Sequence, residues 1–575
     1  MTSLTPLHVQ SHLPDIWKEG ALFAFSGYDG PTDSSSGFVA SLGATGYSLL
    51  FHTPQRRLLS FEVPQSGNVR ICTGDVLLTE LEEGSLLAVY SSWHTLIGTA
   101  PSAVLIQLSF EQSDGGESWR EDNLIITKSK NGQDAVVLVR DKERWSLAFG
   151  RQVEEASKRA LEGLELDAAK TAEDRLRFYR NVPTIADSTK QQLLNKCFSV
   201  MKVNTLSPEG VIQQRWSTPD RVPHQAMWLW DSVFHTIAMN KLDPLLSWDF
   251  LKSVLDTQLE SGMIPHMTRV DGTCSSITQP PLLAWGVWEN YLHTKRLAHL
   301  QYALPVLERY LTWDLTNRDR NGNGLLEWMI EGNPLCRSGE SGMDNSPRFD
   351  RAATLDAVDF SVFAAHEAEC ISLIADVLGE EEKAGYWRKK ASYLNEQIQL
   401  LLWDEHEGFY FDREMDGSSS RVRAVSGLLP LLLKPLPQER TERLISHLRD
   451  PRHFLTKYPV PTTALSEPTY GTDMWRGPVW INMNYLVYMG LIKQGRVEEA
   501  NELAATTIEM VQSNYEQFGV IFEYYDSSGQ VPPPACDRKG PTSGIYDIRR
   551  KMDVVRDFHW SASLTACLLM ETDQG

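Results

Sequence analysis

From Asp187 almost to the end of the chain, apolar residues recur at the spacing of an α-helix. Some segments, such as 281–288, are apolar around most of their circumference, whereas others, such as 380–402, carry a broad charged face. An all-apolar helix must be covered on every side, so the alternation of the two kinds predicts two concentric layers of helices. About twelve segments follow this spacing, which is enough to close a toroid of six hairpins. They lie near 187–205, 230–241, 244–260, 281–296, 299–316, 350–377, 380–403, 422–433, 437–449, 477–493, 497–513 and 557–571.

An open α-solenoid that serves as a protein-binding scaffold is the competing architecture for so many helices. Solenoids are built from units that repeat along the sequence, and no short repeat recurs along these helix pairs. The closed toroid is therefore favoured.

The first 150 residues have a different pattern, with short β-branched or aromatic runs separated by Gly, Ser, Asp and Pro. Such spacing predicts an antiparallel β-sandwich. We expect an N-terminal β-sandwich domain over 1–150, a charged helical linker over 151–186 and the helical domain over 187–575. The predicted strands are 37–42, 46–51, 58–63, 69–72, 85–90, 103–108, 135–139 and 145–150.

The charge of the chain and its cysteines indicate which partners and which cellular compartment to expect. A formal charge of −20 argues against a nucleic-acid partner, which needs clustered Lys and Arg. The seven cysteines are scattered without a C-x-x-C pair, which indicates neither a disulfide framework nor a zinc site and suits a reducing cytoplasm. No apolar run approaches the roughly 18 residues of a membrane helix, and the N-terminus lacks the pattern of a signal peptide. We expect a soluble cytoplasmic protein without a membrane partner.

Five loop motifs carry the unusual residues, and in a toroid alternate loops point to the same end of the central funnel. The most informative is the loop 338–350, which has three carboxylates among Gly, Ser, Asn and Pro. In order along the chain, the motifs are Trp-x-Trp-Asp-Ser (228–232), Gly-x-x-Pro-His (262–266), Glu-Ser-Gly-Met-Asp-Asn-Ser-Pro-Arg (340–348), Trp-Arg-Gly-Pro-Val-Trp (475–480) and Glu-Tyr-Tyr-Asp (523–526).

Together these motifs resemble glycoside hydrolase family 63, which includes mannosyl-oligosaccharide glucosidase and bacterial hydrolases of mannosylglycerate and glucosylglycerate. The resemblance covers roughly 187–575. It implies an (α/α)6 barrel and inverting hydrolysis of an α-glycosidic bond, with Asp344 as general acid and Glu523 as general base. The N-terminal domain is similar in type only to the sandwich that precedes such barrels.

Inverting hydrolysis needs one protonated carboxyl that gives a proton to the leaving oxygen and one carboxylate that activates a water on the opposite face. The two groups lie roughly 6.5–9.5 Å apart in such enzymes. Asp344, beside Met343 and near many Trp residues, is expected to stay protonated through desolvation. The structural alternative for this loop is a helix start, with Ser346 as N-cap and Pro347 at the first helical position.

Nine further residues are candidates for sugar binding. The chain has 17 Trp, and exposed indole faces stack on sugar rings, although most Trp belong to protein cores. Asp231 is equally an N-cap candidate, a lone residue such as His266 is more often structural, and Arg476 has the alternative of pairing with a structural carboxylate. The nine are Trp228, Trp230, Asp231, His266, Gln279, Trp475, Arg476, Trp480 and His559.

One segment has the spacing of a calcium loop. Asp319, Asn321 and Asn323 are followed by Gly324, and Glu327 is available as a further ligand. The bidentate Glu of an EF-hand is absent, since Ile330 occupies that position. A structural calcium site and a plain Asx-rich turn are both consistent with the pattern, and the predicted reaction requires no cofactor.

Three functions remain open from the sequence. The leading one is an exo-acting, α-glucosidase-like hydrolase of a small oligosaccharide or glycoside. An α,α-trehalase ranks lower because the Gln-Trp-Asp and Pro-Gly-Gly-Arg signatures of trehalases are missing. The third is a catalytically silent sugar-binding or scaffold toroid.

Overall fold

A computed structural model describes residues 12–112, 115–541 and 553–573, in which an antiparallel β-sheet region precedes a helical region. Thirteen strands in the described part of the first 150 residues form two sheets. The strands are β1 Leu22–Phe23, β2 Ala40–Leu42, β3 Tyr47–Phe51, β4 Arg57–Glu62, β5 Asn68–Cys72, β6 Val76–Glu80, β7 Ser85–Ser92, β8 Thr95–Thr99, β9 Leu105–Phe110, β10 Glu117–Glu121, β11 Leu124–Lys128, β12 Ala135–Asp141 and β13 Arg144–Gly150. The first sheet has the order β1-β2-β3-β4-β9, and the second has the order β10-β11-β12-β13-β8-β7-β6-β5.

The two sheets pack face to face through aromatic side chains. Phe61 on β4 and Trp145 on β13 have ring centroids 5.4 Å apart, and Phe38 lies 5.9 Å from Phe149. Each of the eight predicted runs contains a strand, whereas β1, β6, β8, β10 and β11 were not predicted. β10 is mostly exposed and charged, so it lacks the apolar alternation that marks a strand in sequence.

The charged segment after β13 was predicted as a linker, but its first helix, α1 (Val153–Leu164), packs on the sheet. Ala156 and Ala160 of α1 are fully buried against a cluster that includes Val137 and Ala148. Its charged residues lie on the opposite face, so the segment covers the outer side of the second sheet instead of spanning a gap between domains.

All twelve predicted helical segments contain a helix. The segment 422–433 forms a 3₁₀ helix, Val425–Leu432, with Pro430 inside it. The segment predicted from 350 begins as an α-helix only at Val358. The remaining α-helices are α2 Ala168–Leu176, α3 Ser188–Val203, α4 Leu229–Met239, α5 Pro244–Leu255, α6 Leu283–Thr294, α7 Leu297–Asn317, α8 Val358–Val377, α9 Glu381–Leu401, α10 Gln438–Leu448, α11 Ile481–Lys493, α12 Val497–Phe518 and α13 His559–Thr572.

Burial alternates along these helices. α4, α8, α11 and α13 are buried over nearly their whole length, whereas α7, α9, α10 and α12 leave a face exposed. Two layers of helices require this alternation. Within the described residues, no helix has both the length and the apolar composition needed to cross a membrane.

Short strand pairs join the loops at the ends of the helices. The pair Met227–Trp228 and Met267–Thr268 places the Trp228 and His266 motifs side by side. The others are Thr205–Leu206 with Trp216–Ser217, Leu355–Asp356 with Arg413–Glu414, and Trp403–Asp404 with Phe409–Tyr410.

Candidate active site

The loop 338–350 is held from both ends by buried ion pairs. The carboxylate of Glu340 is fully buried and accepts hydrogen bonds from Arg318 Nη2 at 2.7 Å and from the backbone N–H of Thr278 at 3.2 Å. At the other end, the guanidinium of Arg348 lies between Asp359 and Asp412, with contacts of 2.6 Å to each. Charged groups buried in this way are costly unless fully paired, so the loop has little freedom to move.

Gly342 brings this loop against the start of α4. Its φ is +70°, and a Cβ there would lie 2.3 Å from Cζ2 of Trp230. A larger residue is excluded both by the backbone conformation and by the indole ring. The loop carrying Asp344 is thus in direct contact with the motif that carries Asp231.

Asp344 has a cationic neighbour that the sequence did not indicate. Its Oδ2 lies 2.5 Å from Nζ of Lys539, and both side chains are 21% exposed. Burial lowers the pKa of Lys539, but the charges of Asp344 and Cys336 and the hydrogen bond to Asp344 together outweigh this effect, so the pKa is raised. The pKa of the nearby Cys336 thiol is raised to about 12, first by burial and then by the charge of Asp344. The protonated state of Asp344 that the sequence predicts stays a prediction.

Glu523 lies in an extended segment that pairs with the loop before α11. Tyr525 and Val479 exchange two backbone hydrogen bonds, of 2.7 and 3.0 Å. The Glu523 carboxylate is 3% exposed and is held by Arg538, whose Nε donates to Oε2 at 2.7 Å and whose Nη2 donates to Oε1 at 3.0 Å. A bidentate guanidinium contact fixes the plane of the carboxylate as well as its position.

Asp231 connects the two predicted catalytic carboxylates. It lies in the first turn of α4 and is 4% exposed, and the N-cap of that helix is Trp228, so the capping alternative for Asp231 was wrong. Its pKa is raised well above the usual range by burial first, and then by the charges of Asp220, Glu523 and Asp344. Because it is close enough to both Glu523 and Asp344 to sense their charges, the structure brings the three carboxyl groups into one site.

His266 and Trp228 form another wall of this site. Their rings meet edge to face with centroids 4.6 Å apart, and His266 Nδ1 lies 2.9 Å from Ser275 Oγ. Burial lowers the pKa of His266 to about 4, although the charge of Asp344 acts in the opposite direction. The imidazole is therefore neutral near pH 7 and suited to exchange hydrogen bonds with hydroxyl groups.

The predicted stacking role of the other indoles does not agree with the structure. Trp230, Trp475 and Trp480 are each 1% exposed. Trp475 stacks on Trp480 at 3.9 Å, and Trp230 lies edge to face with Trp560 at 5.3 Å. Because these rings cover one another, they offer no open face to a sugar and instead form the floor beneath the site.

Three other predicted binding residues have structural partners. The Oε1 atom of Gln279 accepts the backbone N–H of Trp230 at 3.2 Å, next to the start of α4. Arg476 forms an ion pair with Asp350, which supports the structural alternative for that residue. His559 is fully buried and stacks on His235 with centroids 3.6 Å apart, so it does not line an open cleft as predicted.

The candidate calcium loop is closed by its own hydrogen bonds. The side-chain amides of Asn321 and Asn323 donate to the two oxygens of Asp356 at 2.8 and 2.7 Å, and Asp319 Oδ2 accepts from Gly324 N at 3.1 Å. Glu327 is fully buried against Arg320. Within the described ranges, no group of three or more His, Cys, Asp or Glu is placed to hold a metal ion. These contacts form an Asx-rich turn, and calcium binding by the loop stays a prediction.

The sequence did not indicate four residues that lie around the two carboxylates. Lys539 contacts Asp344, Arg538 holds Glu523, and His224, which pairs with Asp220, contacts Arg538. They belong to none of the five motifs. Arg538 and Lys539 lie in the segment that follows the Glu-Tyr-Tyr-Asp motif, and residues 542–552 of this segment lie outside the described ranges.

The sequence of this chain is similar to those of known proteins. Residues 223–530 match the family "Mannosylglycerate hydrolase MGH1-like glycoside hydrolase domain". An uncharacterized protein of Borreliella burgdorferi is 30% identical over 44% of this chain and 52% of its own length. A probable mannosyl-oligosaccharide glucosidase of Schizosaccharomyces pombe is 28% identical over 44% of this chain. The chain thus spans about half of the first relative and, at 35%, about a third of the second.

A solved structure shares the fold of the helical region. The crystal structure of a GH63 mannosylglycerate hydrolase from Thermus thermophilus in complex with glucose superposes with a TM-score of 0.53 at 24% identity. The match covers 66% of this chain and 100% of that chain. At this identity the likeness concerns the fold alone.

Proposed function

Because the chain belongs to the mannosylglycerate hydrolase MGH1-like family of glycoside hydrolases, we propose that it cleaves an α-glycosidic bond of a small glycoside or oligosaccharide with inversion of configuration. The observation that supports this most is the position of Asp231, whose carboxyl senses the charges of both Asp344 and Glu523. Two acidic groups that act on opposite sides of one bond must share a site.

Glu523 is our candidate for the general base. Its Oε2 accepts from Arg538 Nε and is 3.4 Å from the backbone N–H of Val555, whereas its Oε1 has only the Arg538 Nη2 contact among the hydrogen bonds described. A carboxylate oxygen has two lone pairs, so Oε1 keeps one for the water that attacks the anomeric carbon.

Asp344 is our candidate for the general acid, and Lys539 sets a condition on that role. A general acid has to touch the leaving oxygen, yet Nζ of Lys539 occupies a position next to Oδ2 of Asp344. We infer that the leaving-group portion of the substrate displaces the ammonium from Asp344. The buried carboxyl of Asp231 favours its neutral form, so it can donate a hydrogen bond to a sugar hydroxyl.

The substrate we propose is a small α-linked glucoside, cut from its non-reducing end. One observation favours a second candidate class, glycosides whose leaving group carries a carboxylate. Lys539 is a partly exposed cation beside the acid, and a displaced ammonium would pair with such an anion. The name of the Thermus thermophilus relative, a mannosylglycerate hydrolase, points to the same class.

A substrate panel with stereochemical analysis tests the proposal. The panel consists of 4-nitrophenyl α-glucoside, kojibiose, trehalose, glucosylglycerate and mannosylglycerate, with NMR of the first anomer released. We expect the β-anomer from at least one of them. Preferential cleavage of trehalose would assign a trehalase, and the absence of any turnover would favour a silent sugar-binding toroid.

Isosteric variants test the residue assignments. We expect Asp344→Asn and Glu523→Gln each to lower kcat by about 10²–10⁴-fold, the usual contribution of a general acid or base. Asp350→Asn, in the same loop as Asp344, and the exposed Glu516→Gln are matched controls that should keep the wild-type rate. Wild-type rates in D344N and E523Q would remove both residues from the mechanism.

We also infer that the twelve helical segments close into an (α/α)6 barrel with the three carboxyl groups at one end of its funnel. The alternation of buried and half-exposed helices supports this arrangement. A cytoplasmic location remains a prediction from the scattered, unpaired cysteines.

A further inference from the structure

The guanidinium of Arg538 lies between the proposed base and a histidine. Its Nη2 is 3.0 Å from Glu523 Oε1 and 3.3 Å from His224 Nε2. An arginine Nη carries two N–H groups, so one can be directed at each acceptor. This geometry requires His224 Nε2 to be the unprotonated nitrogen of its ring.

The other ring nitrogen is fixed by a buried carboxylate. His224 Nδ1 lies 2.7 Å from Oδ2 of Asp220, which is 2% exposed, and a carboxylate can only accept there. The proton of the imidazole therefore resides on Nδ1, and Asp220 maintains the tautomer that leaves Nε2 free to accept from Arg538. A carboxylate that orients an imidazole in this way is common where a histidine serves a neighbouring reactive group.

The backbone of His224 is anchored independently of its ring. Its N–H donates to Asp220 Oδ1 at 3.0 Å, and its carbonyl accepts from Trp228 Nε1 at 3.0 Å. A change of the His224 side chain thus leaves the local backbone contacts in place. The segment leads directly to Trp228 and Asp231, so it belongs to the wall of the same site.

We propose that His224 is a positioning residue for the general base, acting through Arg538. It takes the second Nη2 hydrogen of the guanidinium and so fixes the plane in which Arg538 meets both oxygens of Glu523. That plane determines which lone pair of Oε1 faces the attacking water. A displacement of about 1 Å in such a group lowers the rate by about 10²-fold. The inference rests on the role of Glu523 proposed above.

Two amide substitutions separate this role from a structural one. In His224→Asn the side-chain amide replaces Nδ1, keeping the contact with Asp220 and losing the acceptor for Arg538. In His224→Gln the amide oxygen reaches the position of Nε2, keeping the acceptor for Arg538. A purely structural histidine held by Asp220 would be replaced better by Asn, whereas a positioning histidine would be replaced better by Gln.

Steady-state kinetics on a cleaved substrate of the panel, followed from pH 4 to 9, is the measurement. We expect H224N to lower kcat by about 30–100-fold with KM within about threefold. Its acidic limb should move to higher pH, because a loosened Arg538 stabilises the ionised base less. The kcat of H224Q should stay within about fivefold of wild type, and the acidic limb of its pH–rate profile should coincide with that of wild type. The same two substitutions at the exposed His406 are controls that should change nothing.

Thermal melting of each variant shows that the compared proteins are folded. Equal rates in H224N and H224Q, or better activity in H224N, overturn the positioning role while leaving the proposed function intact, provided that E523Q is inactive in parallel. A fully active E523Q shows that Glu523 is not the general base, and it thereby also refutes the positioning role of His224.

Discussion

Replacement of Arg348 by methionine tests how the loop that carries Asp344 is held. The side chain of Arg348 is fully buried and makes four charge-assisted hydrogen bonds, two with Asp359 at 2.6 and 2.8 Å and two with Asp412 at 2.6 and 2.8 Å. Burial lowers the pKa of Arg348, but the charges of the two carboxylates outweigh this effect and raise it. Methionine fills most of the volume and leaves two buried carboxylates without a counter-ion.

The size of the expected loss of stability depends on the hydrogen bonds that the two carboxylates retain in the variant. Asp359 Oδ1 still accepts from Trp328 Nε1 at 2.9 Å and from Phe360 N at 3.0 Å, and Asp412 Oδ1 accepts from Val358 N at 2.9 Å. Removal of one partner of a buried ion pair typically costs about 3–5 kcal/mol. Since three donors remain, we expect R348M to lower the free energy of unfolding by about 3 kcal/mol, at the lower end of that range.

Denaturant unfolding of R348M and of the triple variant R348M/D359N/D412N measures this cost. In the triple variant no charge is left unpaired, and replacing a whole buried ion group by neutral side chains is often close to neutral. We expect it to recover at least about half of the loss. A triple variant no more stable than R348M would show that packing of the Arg348 stem, and not stranded charge, accounts for the effect.

Activity gives a second readout of the same variant. Asp344 is four residues from Arg348, and the Glu340 ion pair holds only the other end of the loop. We expect kcat of the folded fraction of R348M to fall by about 10²-fold, as for a displacement of about 1 Å. Wild-type kcat in R348M would show that the Glu340 end alone positions Asp344.

Three further predictions follow from the buried titratable groups and the Asx-rich loop. Burial raises the pKa of Asp231, so the stability of the wild type should fall as pH rises above about 4, the usual pKa of an aspartate. Asp231→Asn should therefore have a higher melting temperature than wild type at pH 7, the same melting temperature near pH 3, and lower activity. Burial lowers the pKa of His266 to about 4 and that of His559 to about 3, so the free energy of unfolding should fall as pH decreases below about 6.5, by up to about 1.4 kcal/mol per pH unit for each histidine. Denaturant unfolding at several pH values should show a smaller decrease per pH unit in His559→Asn than in wild type. If the loop at Asp319 takes calcium, chelation should lower the melting temperature without changing the released anomer, and Asp319→Asn should remove the calcium-dependent part; a melting temperature indifferent to calcium assigns an Asx turn alone.

The helices could be predicted because the burial of a helix face places apolar residues at the helical spacing, which is visible in one sequence. Apart from shifts of up to five residues at other helix ends, the conformation of 425–432 and the start of α8 differed, and both lie at prolines or in polar loops, where local contacts decide. Eight strands were predicted from apolar or aromatic runs, but β6 and β8, which are equally buried, were not. Exposed strands such as β10 were missed because their pairing with β11 depends on a neighbouring strand rather than on their own composition.

The motifs point to the acidic residues of the site but not to their partners. Asp344, Glu523 and Asp231 each lie in a short distinctive motif, and Asp231 senses the charges of the other two. Their catalytic and binding roles stay predictions. The pairing of Asp344 with Lys539 and of Glu523 with Arg538 joins positions separated along the chain, and no local pattern encodes it. Composition also could not separate a core indole from a binding one, so the burial of Trp230 became visible only in the packed structure.

The two cations beside the proposed acid and base are consecutive residues, and this constrains how the site can respond to a substrate. In the proposed mechanism Arg538 stays on Glu523 and orients it, whereas the ammonium of Lys539 leaves Asp344 when the leaving group arrives. The backbone between them is pinned, because Asp473 accepts from the N–H groups of Lys539 at 2.7 Å and of Gly540 at 3.1 Å, and Lys539 itself has a φ of +54°. A rigid backbone with one guanidinium fixed by two acceptors leaves the flexible four-carbon stem of Lys539 as the part that moves. Substrate binding would then release the proposed acid from Lys539 without disturbing the contacts of the proposed base.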